Sequence, residues 1–384
     1  MTTIFICATQ FQILSTLSIC KQEQITEATL ILTNNIEKIH GWIPLLKESN
    51  FFNSILIFPE KLPYQKRRHF LLLKRKLQTP TLIERIEGLM DPRKVIARWL
   101  SNFSCLHGRS NIIPSKIERI FISSPMPNLW KFAEFIKIFV PNCKTFGFDE
   151  GMGSYLPNPF YEKINGIYLF QPQLCKTTIP KHKILPLDRP ELSTIWNRAK
   201  EIFEISEAPP KALFFDQWLG MPWVHNKCKK FDWKKSSFIK LKLSILKEIE
   251  KQTKKTGTTL YYAPHPLQDA EATNHFRSEG FSLVNTSKQL PFELILLCTE
   301  CDYSNSTWST IFSSAPIMPL LAFSKTQNYR IIMLYQMFKG ESELSWFFKN
   351  NELIELFDSI SSAFPGRFKV PKNFTDLKSI LVSR

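Results

Sequence analysis

Three short polar segments contain the residue types that could carry out chemistry. They are "FDEG" at 148–151, "PHP" at 264–266 and "YSNSTWST" at 303–310. Each segment is expected just past the end of a predicted strand, where loops commonly carry binding and catalytic groups. The sequence therefore predicts that three loops at strand ends supply the functional residues.

The first segment places two carboxylates side by side, Asp149 and Glu150, ahead of Gly151 and Gly153. One explanation is a turn, in which Asp149 caps the next element and Gly151 takes a positive φ. The other is general-base catalysis, because adjacent carboxylates raise each other's pKa and keep one ready to accept a proton. Neighbouring side chains diverge at a strand end, so we expect one of the two to face the site. Under this hypothesis the glycines keep the approach open.

The second segment holds His265 between Pro264 and Pro266, which fix φ on either side and remove one backbone donor. A histidine in this position could be structural. It could also stabilise or protonate a departing phosphate. The residues alone leave both explanations open.

The third segment is dense in hydroxyl groups and is predicted to be a loop ahead of an apolar helix. N-capping explains such residues, and so does phosphate binding by hydroxyls and backbone N–H groups at a helix start. No G-x-G-x-x-G, Walker A or H-E-x-x-H motif is present. The lone C-x-x-C at Cys298 and Cys301 has no second pair, which favours free thiols in a reducing compartment over a zinc or redox site. The hydroxyl residues are Ser304, Ser306, Thr307 and Ser309.

Strand and helix patterns alternate along the chain and must position these loops. "TTIFICAT" predicts a buried strand and "QFQILSTLSICKQ" an amphipathic helix after it, and the alternation continues in both halves. This pattern favours parallel sheets covered on both faces. Pro209 and Pro210 precede a fresh strand. The predicted fold is therefore α/β, with two Rossmann-like domains at about 1–195 and 196–384 that face a central cleft.

The 384 residues carry a formal net charge of +16, concentrated in Lys61–Gln78 with 91–98 and in Asn226–Lys255. Such segments attract nucleic acid, anionic lipid or acidic polysaccharide. The aromatic residues are not interleaved with the charges and no nucleic-acid-binding signature is present, so a basic nucleic-acid-binding protein is only an alternative. No apolar run reaches the ~18 residues that span a bilayer, and the N-terminus lacks the basic region of a signal peptide. We expect a cytoplasmic protein.

The order of the motifs resembles the bacterial sialyltransferases with a GT-B fold, which include lipooligosaccharide sialyltransferases and capsular polysialyltransferases. The resemblance lies in the acid-acid-Gly motif, the His-Pro motif and the Ser/Thr cluster after it. "IFICATQFQIL" is also similar to the first strand and helix of those enzymes, and "LPFELIL" to a segment before their serine loop.

The resemblance implies an inverting transfer of sialic acid from CMP-sialic acid to a surface glycan, without a bound metal or other cofactor. Asp149 would be the base, with Glu150 as the alternative, and His265 would stabilise the phosphate of the leaving group. Ser306 and Thr307, with Ser304 nearby, would hold that phosphate. The other residues that the resemblance places at the substrate site are Gly151, Gly153, Pro266 and Ser309.

The implied acceptor is an anionic or galactose-terminated glycan of lipooligosaccharide or capsule. The basic segments would hold this acceptor, or bring the enzyme to anionic lipid on the inner face of the cytoplasmic membrane. The alternative within the same fold is a transferase that uses another nucleotide sugar for surface polysaccharide.

Overall fold

The computed structural model describes most of the chain. Residues outside the description are 1, 34–35, 37, 59–103, 108–116, 124–132, 135, 138–139, 177–178, 190–191, 218–235, 266–267, 269, 285–289, 300, 324–327 and 383–384. The first basic segment and Pro266 lie outside the described residues. The chain divides into two compact units, Met1–Glu204 and Ile205–Arg384, where the sequence suggested a division at 195/196.

The first unit is built on one sheet with the strand order β4-β3-β2-β1-β5-β6-β7-β8. Neighbouring strands are parallel except β3 and β4, which are antiparallel. The strands are β1 (Thr2–Cys7), β2 (Ala28–Thr33), β3 (Phe52–Phe58), β4 (Ser104–His107), β5 (Ile117–Ile122), β6 (Lys144–Phe148), β7 (Gly166–Leu169) and β8 (Ile184–Pro186). The described α-helices of this unit are α1 (Gln10–Gln22), α2 (Ile39–Glu48) and α3 (Ser193–Ile202).

Helix α1 is enclosed on every side, since ten consecutive residues from Phe11 to Cys20 are buried. The prediction of a helix here is confirmed, but the prediction that it is amphipathic is wrong. Buried polar groups are tolerated when they are hydrogen-bonded, and here Thr16 Oγ1 lies 3.2 Å from Cys7 Sγ while Ser18 Oγ donates to Leu14 O. The small polar residues therefore do not mark a solvent face.

The second unit is built on a fully parallel sheet with the order β11-β10-β9-β12-β13-β14. Its strands are β9 (Ala212–Phe215), β10 (Leu260–Ala263), β11 (Ser282–Leu283), β12 (Thr307–Thr310), β13 (Arg330–Met333) and β14 (Phe368–Lys369). Its described α-helices are α4 (Ser237–Lys254), α5 (Ala270–Ser278), α6 (Phe292–Thr299), α7 (Ile317–Phe323), α8 (Ser345–Phe348), α9 (Asn351–Ala363) and α10 (Phe374–Val382). The predicted fold class, α/β with two parallel-sheet domains, is confirmed.

Each sheet reverses its strand order once. In the first unit the chain adds β2 and β3 on one side of β1, then continues with β5 to β8 on the other. In the second unit it adds β10 and β11 beside β9, then β12 to β14 on the other side. Ligands of open α/β sheets bind outside the carboxyl ends of the strands at such reversals. The topology therefore favours ligand binding near the loops after β1 and β5 in the first unit, and after β9 and β12 in the second.

Glu293, in the first turn of α6, is a buried carboxyl group of the second unit. Burial raises the pKa of Glu293 to about 7. A carboxyl group whose folded pKa exceeds its unfolded value stabilises the protein below the unfolded pKa and loses that contribution as pH rises through the folded pKa. As the pH rises from 4 to 8, the free energy of unfolding of Glu293→Gln should increase by about 3 kcal/mol relative to that of the wild type, because only the wild type has a carboxyl group to ionise at this position. Urea unfolding at the two pH values measures this difference.

Glu352 provides the matched control, because it is an exposed glutamate in the first turn of α9. Glu352→Gln should change the free energy of unfolding by less than about 1 kcal/mol at either pH, because an exposed charge near a helix start contributes only ~0.3–1 kcal/mol. The expectation for Glu293 fails if Glu293→Gln differs from wild type by the same amount at pH 4 and pH 8.

Candidate functional site

Asp149 follows β6 directly and lies in a closed set of hydrogen bonds. Its side chain is 0% exposed. Oδ1 accepts from the backbone N–H of Gly151 (3.0 Å), and Oδ2 accepts from the hydroxyl of Tyr155 and from the backbone N–H of Phe170 (3.4 Å). The Ser15 hydroxyl of α1 donates to the backbone carbonyl of Asp149 (2.8 Å). These contacts fix the orientation of the carboxyl group.

Desolvation raises the pKa of Asp149 to about 7, against the opposing effect of the hydrogen bonds from Tyr155, Gly151 and Phe170. A general base works best when its pKa lies close to the working pH. The raised pKa therefore suits proton transfer, although the burial of the group means that a substrate must displace one of its partners. The most exchangeable partner is the Tyr155 hydroxyl, since the other two donors are backbone groups.

Glu150 is the accessible member of the pair and is joined to the start of α1. Gln12 Nε2 donates to Glu150 Oε2 (3.2 Å), while Gln12 Oε1 accepts from the backbone N–H groups of Ala8 and Thr9. The backbone N–H of Glu150 donates to Ser154 Oγ (3.0 Å). Thus one glutamine connects the loop after β1 with the loop after β6.

Gln12 was not among the functional residues predicted from the sequence. Thr9 and Gln12 form a capping box at the start of α1, and the spacing T-x-x-Q is a recognised signal for that motif. The spacing indicates the helix start, but it contains nothing about Glu150, which is 138 positions away.

The two glycines after the acid pair differ in what the structure requires of them. Gly151 has φ +135° and ψ −169°, a conformation that is essentially restricted to glycine. A Cβ at Gly153 would meet Glu150 Oε1 at 3.7 Å, which is an ordinary contact. Of these two positions, only Gly151 has a backbone conformation that requires glycine.

His265 lies two residues after β10, at the carboxyl edge of the second sheet, and is half-buried. Desolvation lowers the pKa of His265, and the nearby Asp216 carboxylate opposes this shift. Neutral imidazole is thus the favoured form at neutral pH, and it can still donate one hydrogen bond. Asp216 itself follows β9, the strand next to β10.

The hydroxyl cluster is not the loop that the sequence predicted, because Thr307 and Ser309 lie in strand β12. Ser304, Ser306 and Thr307 are at the amino end of β12, whereas His265 is past the carboxyl end of a parallel strand. A four-residue strand spans ~13 Å, so the structure does not bring these hydroxyls to the edge that carries His265. The helix expected after the cluster begins only at Ile317.

The cluster residues instead contact other groups of the second unit. Ser304 Oγ donates to Asp302 (2.9 Å), and Arg330 Nη2 donates to Thr307 Oγ1 (3.2 Å). Ser309 Oγ points to the carbonyl of Leu213 on β9 (3.5 Å). Ser306 Oγ is buried and finds no hydrogen-bond partner among the described residues. The contacts of Ser304, Thr307 and Ser309 are those expected of residues that stabilise the fold.

Ser313 and Ser314 are the hydroxyl residues that the structure places past the carboxyl end of β12, beside the reversal of strand order. The backbone N–H of Ser313 donates to Thr310 Oγ1 (2.9 Å), and Ser313 Oγ accepts from the backbone N–H of Ala315 (3.3 Å). Ser314 is exposed. The sequence signal was the pair "SS" directly before "APIMPLLAF", which is the true hydroxyl loop ahead of an apolar helix.

The described part of the second basic segment is helix α4, and several of its lysines are paired. Lys247 contacts Glu279 (2.6 Å) and Lys254 contacts Glu250 (2.9 Å), while Lys242 is buried. Exposed pairs of this kind contribute little to stability, but they lower the positive potential of the helix. The predicted attraction of this segment for an anionic partner stays a prediction.

In the part of the chain that the structure describes, no group of three or more His, Cys, Asp or Glu side chains is placed to hold a metal ion. Cys298 is buried in α6 and Cys301 is exposed, and neither forms a disulfide with another described cysteine. Among the described helices, none combines the length and apolar character needed to cross a membrane.

Comparison with protein-family models gives no match, and comparison with curated protein sequences gives none either. Among solved structures, the chain is similar to MurG from Acinetobacter baumannii, with 8% identity, a TM-score of 0.41, and coverage of 99% of this chain and 88% of that one. It is also similar to the GT-B domain of the sialyltransferase from Photobacterium damselae, with 11% identity, a TM-score of 0.44, and coverage of 96% and 100%. Similarities at this level assign no activity or site.

Proposed function

We propose that the chain is an inverting glycosyltransferase that moves sialic acid from CMP-sialic acid to a surface glycan. The observation that carries this proposal is the placement of the two motifs. The acid pair and His265 each lie just past the carboxyl end of a parallel strand, one in each α/β unit. Strands β6 and β10 are each one strand away from the point where the strand order reverses, β6 beside β5 and β10 beside β9. Ligands and catalytic groups gather at such edges.

In the proposed reaction the first unit activates the acceptor hydroxyl. Asp149 accepts the proton, because its pKa of about 7 lets the carboxylate act as a base at neutral pH. The acceptor hydroxyl takes the place of the Tyr155 hydroxyl on Oδ2. Glu150, held by Gln12, contacts the acceptor sugar from the accessible side.

The second unit stabilises the leaving phosphate of cytidine monophosphate. Preorganised donors aimed at developing charge are among the largest contributions to catalysis, and His265 supplies one N–H donor in its neutral form. Ser313 and Ser314 replace the hydroxyl cluster at 304–309 as the proposed phosphate ligands, because they lie past the carboxyl end of β12. The resemblance in sequence implies a displacement that needs no bound metal, and we retain that in the proposal.

The proposed acceptor is an anionic or galactose-terminated glycan of lipooligosaccharide or capsule. The proposed location is the cytoplasm, with peripheral contact between basic segments and anionic lipid of the inner membrane. Lysine side chains on the exposed face of α4, such as Lys240 and Lys251, are available for contact with either anionic partner.

Thermal unfolding with nucleotides tests the donor class. A ligand present at 100 times its Kd stabilises the folded protein by about 2.7 kcal/mol, so CMP at millimolar concentration should raise Tm by several degrees. UMP, GMP and AMP at matched concentration should raise it less. Cytidine without phosphate is the control, because it removes the group that His265 and the serines are proposed to bind.

A rise with UMP or GMP instead of CMP would keep a nucleotide-sugar transferase and replace sialic acid with another donor. Absence of a shift with all four monophosphates would contradict the proposal. Salt-dependent binding of random oligonucleotides, together with that absence, would favour the nucleic-acid-binding alternative.

A further inference from the structure

A buried ion pair lies beside the loop that carries His265. Lys242 Nζ of α4 is 2.9 Å from both carboxylate oxygens of Asp216, and both side chains are almost fully enclosed. A buried ion pair is weak evidence for stability, because desolvation of the two charges offsets much of their attraction. A specific orienting role is therefore the hypothesis to examine.

The pair is the centre of a larger network. Asp216 Oδ1 also accepts from the backbone N–H of Gln217 (2.8 Å), and Oδ2 accepts from the hydroxyl of Tyr262. Gln268 Nε2 donates to that same hydroxyl (3.1 Å). The remaining side of the Lys242 ammonium faces the ring of Phe276, whose centroid is 4.5 Å away. Every member of the network thus has a defined partner.

The network meets the His265 loop at both of its ends. Tyr262 lies in β10, three residues before His265, and Gln268 lies three residues after it. The backbone N–H of Gln268 donates to the carbonyl of His265 (2.8 Å), and the backbone N–H of Asp216 donates to the carbonyl of Ala263 (2.9 Å). The hydroxyl of Tyr262 therefore joins the two ends of the loop to one fixed carboxylate.

We propose that Lys242, Asp216, Tyr262 and Gln268 are positioning residues that hold the His265 imidazole in the geometry needed to contact the donor phosphate. The inference rests on the proposed function in its use of His265. Lys242 fixes Asp216 from α4, Asp216 fixes the Tyr262 hydroxyl, and that hydroxyl orders Gln268 on the far side of the loop. Small displacements of a catalytic group are costly, since a shift of about 1 Å can lower the rate about 100-fold.

Tyr262→Phe is the most specific test, because it removes the hydroxyl and keeps the ring that stacks between Phe214 and Phe276. We expect a kcat that is about 10- to 100-fold lower, with Tm little changed. Gln268→Ala, outside the sheet, should lower kcat in the same direction. The matched control is Tyr303→Phe, which also removes a buried tyrosine hydroxyl in this unit but one that contacts Thr299 at the opposite edge of the sheet.

A double-mutant cycle separates positioning from general stability. If Tyr262 acts through His265, Tyr262→Phe should have no further effect on kcat in a His265→Ala background. An equal loss of kcat in both backgrounds would overturn the inference, and so would full activity of Tyr262→Phe.

A second readout does not depend on the activity. The chain has seven histidines, so the NMR signals of the His265 ring can be assigned by their loss in His265→Ala. Tyr262→Phe should shift or broaden these signals, whereas Tyr303→Phe should leave them in place. Unchanged signals in Tyr262→Phe would overturn the inference even if the chain transferred no sugar, so that failure of the network and failure of the proposed function are told apart.

Discussion

Asp149→Asn is expected to lower kcat/KM for sugar transfer by roughly 10²–10⁴-fold, the range for loss of a general base. The substitution should not unfold the chain, because an asparagine oxygen can still accept from the Gly151 N–H and the desolvation of a buried carboxylate is avoided. Steady-state kinetics with a saturating acceptor, together with Tm, measure both effects.

The pH profile gives the same prediction a second test. Asp149 must be ionised to accept a proton and its pKa is raised to about 7, so wild-type kcat/KM should rise with pH through about 7 and then level off. Glu150→Gln is the matched comparison, since a glutamine oxygen can still accept the hydrogen bond from Gln12 Nε2. We expect it to lower kcat/KM only about tenfold and to leave the pH profile unchanged. A larger loss for Glu150→Gln than for Asp149→Asn would instead make Glu150 the base.

His265→Ala is expected to lower kcat by roughly 10²–10³-fold, the usual cost of removing one donor to a developing oxyanion. The effect should appear in kcat more than in KM, because the contact strengthens as negative charge develops on the leaving phosphate. Since burial lowers the pKa of His265, the imidazole is neutral above pH 7. The ratio of wild-type kcat to His265→Ala kcat should therefore be constant from pH 7 to 9.

His182→Ala is the control for this prediction, since His182 is exposed and lies in the first unit. It should behave like wild type. A kcat that falls steadily between pH 7 and 9 in wild type but not in His265→Ala would show that the imidazolium, not the neutral ring, is the active form.

Local patterns were enough to predict the fold class and the start of the chain. The alternation of apolar runs and helical patterns predicted two parallel sheets, and β1 and α1 lie where "TTIFICAT" and "QFQILSTLSICKQ" were assigned. The acid pair and His265 were also expected just past strand ends, and both are there. These features depend on neighbours in the sequence, so a single sequence contains them.

The hydroxyl loop was misplaced because the sequence pattern there has two interpretations. "TWST" is rich in β-branched and aromatic residues, which is typical of a strand, but its hydroxyls also suggest a binding loop. The burial of Trp308 against Tyr303 and Tyr329 decides for the strand. Those contacts come from the assembled sheet and not from the segment alone.

The buried pair of Lys242 and Asp216 could not be predicted at all. In the sequence Lys242 is one of many lysines in a basic helix, and Asp216 ends an ordinary apolar strand. Their contact depends on how α4 packs across the sheet. The two residues are 26 positions apart, and the sequence between them does not indicate the contact. The same is true of the contact between Gln12 and Glu150.

The enclosure of α1 has a consequence for how this chain can diversify. Gln12 and Ser15, which hold the acid pair, belong to a helix with ten consecutive buried residues. Close-packed interiors tolerate few changes in side-chain volume. Most substitutions in α1 should therefore prevent folding, and selection would remove them before they could change the specificity of the site. Descendants with different acceptors are therefore expected to differ at surface loops, while the support of the acid pair is inherited nearly unchanged.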